Sequence, residues 1–199
     1  MKKIVLVLGL LLGLGSFLPA NAELLNKSDY VRLSAVGNKI IETNNINKRI
    51  LFNFTGIGNV GVFPIFVDTS RTHDYNLHNN RIVNVPLGDY FKLSSDDELA
   101  AFLAPEIAQG VHSYNGVLNG QLFITKNGIG FLSKKNEMKF DKQAVDYLVS
   151  AGYDPTALIT VIKKTVPEWR GTFWGRHNKA DKRIKEIRKY INSNYPDYL

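Results

Sequence analysis

The chain has 199 residues, 44% of them hydrophobic, no cysteine, and a formal net charge of +7. The lack of cysteine excludes a disulfide framework and a lipid-anchored processing site, so stability has to come from a packed apolar core. The basic excess is mild and gathers between Lys179 and Lys189. Such a bias is compatible with weak contact with anionic envelope surfaces but is more often a solvated face, and no nucleic-acid partner is expected.

Lys2 and Lys3, the apolar run Ile4 to Leu14 and the small-residue stretch Ala20-Asn21-Ala22 form the pattern of a secretory signal peptide. Cleavage after Ala22 is expected, with residues 1–22 removed and 23–199 forming one domain, periplasmic or secreted. From about Lys27 to Thr43, Leu33, Val36, Ile40 and Ile41 recur at helical spacing. Short β-type runs follow at Ile50 to Phe54, Gly61 to Val67 and Arg81 to Val85, separated by turn-rich segments.

Ser95 and Glu98 have capping-box spacing and open a helix whose apolar face is Leu99, Phe102, Leu103, Ile107 and Val111. Gly120 to Leu132 reads as a hairpin with Asn127-Gly128 in its tight turn. A helix from about Lys135 to Ala151 should stop at Gly152, and Asp154-Pro155 should open the next one. In the last helix, from about Lys179 to Asn192, the pattern buries Ala180, Ile184, Ile187 and Ile191. It leaves Lys182, Arg183, Lys185, Arg188 and Lys189 on the exposed side. The class is α+β.

Three blocks stand out in order: S-S-D-D-E-L-A-A-F-L-A-P-E-I-A-Q from Ser94 to Gln109, Asn136 to Leu148 with its A-G-Y-D-P turn at 151–155, and Arg176-His177-Asn178 ahead of Arg183-Ile184. Together they resemble the active-site helix, the E-x-x-x-D helix and the late histidine motif of the HtpX- and BepA-like zinc metallopeptidases, relatives of the CAAX prenyl endopeptidases. The resemblance implies a zincin-like fold in which a small sheet packs on a central active-site helix and a C-terminal helical bundle. In such a site two histidines four residues apart share a zinc ion, the glutamate between them polarises the bound water, and a carboxylate from a second helix completes the ligand set.

In this chain Pro105 and Gln109 stand at the two histidine positions, while the resemblance makes Glu106 the vestigial base, Glu137 the second-helix ligand, Asp141 its neighbour and His177 the late histidine. Proline has no donor atom and an amide oxygen is a poor zinc ligand. No metal is therefore expected, and an inactive pseudopeptidase that holds an extended peptide or protein partner is the first reading. The alternative is an active zinc metalloendopeptidase with an unusual site, in which His112 is the candidate replacement ligand. Glu106 and Glu137 could also serve as a metal-free acid and base. A proline within a helix costs about 3 kcal/mol or bends it. The strand at Arg81 to Val85 is the expected docking edge for a peptide.

His73 and His78 read as solvated loop residues, Gly56 to Gly61 as a turn, and Trp169 and Trp174 as packing groups.

Overall fold

The computed structural model describes residues 25–56, 61–64, 80–117, 124–125, 128–129, 134–166 and 179–199; at 61–64, 80, 112–117, 124–125, 128–129 and 134 it describes the backbone alone. Helix α1, Lys27–Thr43, starts in a complete capping box. The Asn26 side chain accepts from the Ser28 and Asp29 amides, and Asp29 accepts from the Asn26 amide at 2.9 Å. Its buried stripe is Leu33, Val36, Gly37 and Ile40.

Strand β1, Arg49–Thr55, lies parallel to β3, Asn80–Pro86, and β2, Gly61–Pro64, lies antiparallel to β3 on the other side. The order β1-β3-β2 makes β3 central. Arg81 to Val85 is thus not an edge, because its backbone is engaged by both neighbours, and the edges among the described residues are β1 and β2. The sheet rests on α1: a Cβ added at Gly37 would stand 2.3 Å from the Phe52 ring, so only glycine permits that approach. Phe54 continues the contact edge-on to Tyr30 and Tyr90.

A single turn, α2 (Leu87–Tyr90), leads into the long helix α3, Asp96–Val117. Ser95 Oγ accepts from the Glu98 amide at 3.2 Å, but the Glu98 carboxylate reaches back to the Ser94 amide at 2.6 Å. The box is therefore shifted by one residue on its return side, and Glu98 also binds Lys164 at 2.7 Å. The expected single apolar face understates this helix. Ala100, Ala101, Ala104 and Ala108 are buried along with Leu99, Phe102, Leu103 and Ile107, so residues 99–104 are buried on every side, while Asp96 is exposed and Pro105, Glu106 and Gln109 are half-buried. Alanines let the surrounding α1, α4 and α5 approach closely. The helix continues through Pro105, which has no N–H to give to the Ala101 carbonyl.

In the hairpin of β4, Ile124–Thr125, and β5, Gly128–Ile129, Thr125 pairs with Gly128. Gly128 is thus a paired strand residue, not the second turn position that the Asn-Gly signal suggests; Asn127 lies outside the described residues. Helix α4, Lys134–Ser150, ends in a Schellman motif: Gly152 has φ +69, its amide bonds the Val149 carbonyl, and Tyr153 N–H bonds the Leu148 carbonyl at 2.9 Å. Asp154 then caps the next turn by accepting from the Thr156 amide at 2.8 Å, ahead of α5, Ala157–Thr165.

The last helix, α6, Ala180–Asn194, packs on α4 and α5 and is followed by a 3-10 turn, Pro196–Tyr198. The molecule is α+β, mostly helical with a small sheet. Among the described residues, no helix is long and apolar enough to cross a membrane.

Candidate functional site

The three helices of the sequence blocks meet around one side chain. On α4, Glu137 and Asp141 are one turn apart and share the inward stripe with Ala144 and Leu148. Both acids are buried, Asp141 to 1% exposure. Carboxylates in an apolar stripe need a cation, since an uncompensated buried charge is very costly.

That cation is Arg183 of α6. Its Nε and Nη2 donate to the two Asp141 oxygens at 2.8 and 2.6 Å, a bidentate fork, and its Nη1 lies 3.7 Å from Glu137 Oε1. Arg183 is itself 9% exposed. Its assignment to the solvent side of the last helix is therefore corrected. At about 100° per residue, Arg183 stands only about 40° from Ile187, at the border of the apolar stripe, where a tertiary partner decides its direction.

Burial alone would lower the guanidinium's pKa, but the Asp141 carboxylate, with Glu137 and Glu106 adding their charge, holds it above its ordinary value. Burial pushes the Asp141 carboxyl up; Arg183 pulls it down, and Glu137 adds to the upward side. Glu106, partly buried on α3, is thus within electrostatic reach of Arg183, which binds the charges of α3, α4 and α6 into one cluster.

Pro105 and Gln109 are partly buried on α3, on either side of Glu106. The described donors do not fit a zinc ion. Pro105 and Gln109 supply no imidazole, and Glu137, the one carboxylate that the resemblance assigns as a ligand, faces a guanidinium. A divalent ion there would sit beside a fixed positive charge. Among the described residues, no group of three or more His, Cys, Asp or Glu side chains gathers to hold a metal. His177 lies outside the described residues, as do His73, His78, Trp169 and Trp174, and His112 is described only in its backbone.

Two features were not read from sequence. One is the role of Arg183, for which the signal was present: two acids in the apolar stripe of α4 call for a buried base. The other is Arg81, only 1% exposed on the inner face of β3 with Val83 and Val85. Strict alternation along that strand puts Arg81 on the same side as the valines. No family model matches this chain, and no curated protein matches it.

Proposed function

We propose that the chain is an exported, metallopeptidase-like protein with a zincin-like fold that has lost hydrolysis and holds extended segments of other proteins over α3. The observation that carries this reading is the Arg183 guanidinium set between Asp141 and Glu137, a fixed organic cation beside the carboxylate that the resemblance makes a zinc ligand. With Pro105 and Gln109 on α3, it supports a cleft whose chemistry is binding rather than water activation. Because β3 is internal, the strand that stands at the sheet edge next to α3 among the described residues is β2, Gly61–Pro64, which contacts that helix. An added peptide strand there would use main-chain hydrogen bonds, with side-chain pockets supplying selectivity. Envelope protein quality control is the role this reading implies.

The test is metal content. The mature protein, purified without an affinity tag and incubated with zinc, should carry less than about a tenth of an equivalent by elemental mass spectrometry. Near one equivalent, lost in Glu137→Ala, would overturn the reading and make His112 the first residue to examine as a ligand. N-terminal sequencing of the exported protein should begin at Glu23.

A further inference from the structure

The solvent face of α6 carries four cations that the core does not use. Lys182, Lys185, Arg188 and Lys189 are all exposed. At about 100° per residue, the three lysines fall within an arc of about 60°, with Arg188 about 60° further round. The buried Ile184, Ile187 and Ile191 lie on the opposite side. On α4, Lys135, Lys139 and Lys142 form a second arc of about 60°. Lys135 and Lys139 are exposed, and the Lys142 ammonium sits 5.6 Å from the Tyr190 ring of α6, so the second ridge runs beside the first.

None of these seven side chains is in an ion pair among the described residues. Asp181 and Glu186 are the acids on α6, and Asp146, between the ridges, is taken up by the hydroxyls of Tyr190 and Tyr195 at 2.9 and 2.8 Å. At the end of α6, Tyr198 is 40% and Leu199 59% exposed.

We infer that this face is a docking surface for an anionic phospholipid bilayer, with the α6 and α4 cations over the headgroups and Tyr198 and Leu199 at the interface. Each Lys or Arg near such a surface contributes about a fivefold gain in partition. Cations spread along convex helix ridges suit a planar array of phosphates. Tyr198 and Leu199, exposed in and just after the turn that follows α6, offer apolar groups that a bilayer can take up and a soluble polyanion cannot. The inference stands on the described charges and on the exposed Tyr198 and Leu199, and is independent of the peptide binding proposed over α3.

The experiment is co-sedimentation of the purified mature protein with vesicles of phosphatidylcholine alone or mixed with phosphatidylglycerol. Binding is expected to the mixed vesicles only and to disappear in 1 M salt, where the screening length is about 3 Å. The combined variant Lys182→Ala, Lys185→Ala, Lys189→Ala should weaken it at least about tenfold, and the matching triple Lys→Arg should restore it. Tyr198→Ser with Leu199→Ser should weaken vesicle binding a few-fold while leaving retention on immobilised polyphosphate unchanged. No binding to the mixed vesicles, undiminished binding by the triple alanine variant, or capture by polyphosphate without vesicle binding would each overturn it.

Discussion

The two sides of the molecule are held together by opposite means. Where α1 meets the sheet, the contact is apolar and close: the Phe52 ring packs onto Gly37, and Phe54 bridges Tyr30 and Tyr90. Where α4 meets α6, a guanidinium and two carboxylates are buried together on helices that also bury Ile187 and Leu148, and three helices share the charge. An apolar contact tolerates small shifts in direction, whereas a bidentate fork fixes the rotation of one helix against another. The ionic side therefore specifies register more than it adds stability, since buried pairs recover little beyond their desolvation cost.

The largest effect should come from breaking the ionic side. Arg183→Met leaves Asp141 and Glu137 buried without their cation and is expected to cost about 3–5 kcal/mol in denaturant unfolding. Combining it with Asp141→Leu should recover much of that loss. A single variant that unfolds within about 0.5 kcal/mol of the wild type would show that the fork is not a structural tie.

On the apolar side the expected loss is smaller. Gly37→Ala puts a methyl group against the Phe52 ring and should cost about 1–3 kcal/mol, reduced by alanine's better helix propensity. Adding Phe52→Leu should relieve the clash, and equal stabilities for the single and double variants would mean that the ring simply swings aside.

A local feature outside both interfaces supplies the baseline. Ser95→Ala removes the acceptor for the Glu98 amide at the start of α3 and should cost about 1 kcal/mol by thermal unfolding. A loss as large as that of Arg183→Met would mean that the start of α3 also ties the helices together.

The rim of the ionic side gives a pH signature. Burial, then the hydrogen bonds to the Asp146 carboxylate and its charge, push Tyr190 and Tyr195 up to about 12. A folded pKa above the unfolded value of about 10 means that the folded protein holds protons that the unfolded chain gives up. This contribution is fully present below about pH 10 and is lost as pH rises towards 12. Asp146→Asn should bring both tyrosines down towards 10, seen in the phenolate absorbance of the folded protein. Unchanged titration would assign the shift to burial alone.

How much was legible depended on the range of the interaction. The Asn26 and Asp29 box is local, as are Gly152 at positive φ and the apolar repeats of α1 and α6, which the residues alone announce. The hairpin shows where local signals compete: Asn-Gly suits a tight turn, but the pairing of Ile124 with Ile129 moves Gly128 into the strand. The docking edge was misplaced because strand order is a property of the sheet, and nothing within Arg81 to Val85 says that a neighbour lies on each side. The candidate site was legible as a set of positions, since Glu106, Glu137 and Asp141 were singled out on the right helices. Its cation was legible only as a need: two acids in the apolar stripe of α4 call for a base, but nothing local says that Arg183, 42 residues beyond Asp141, supplies it.

The sequence by itself determined where helices and strands form, because caps, glycine turns and apolar periods act within a few residues. It also determined that α4 carries two acids in its apolar stripe. Only the tertiary structure decided that β3 is central, that residues 99–104 of α3 are buried on every side, and that Arg183 turns inward. A long side chain at the border of a stripe has two directions open to it, and the buried carboxylates of another helix select one.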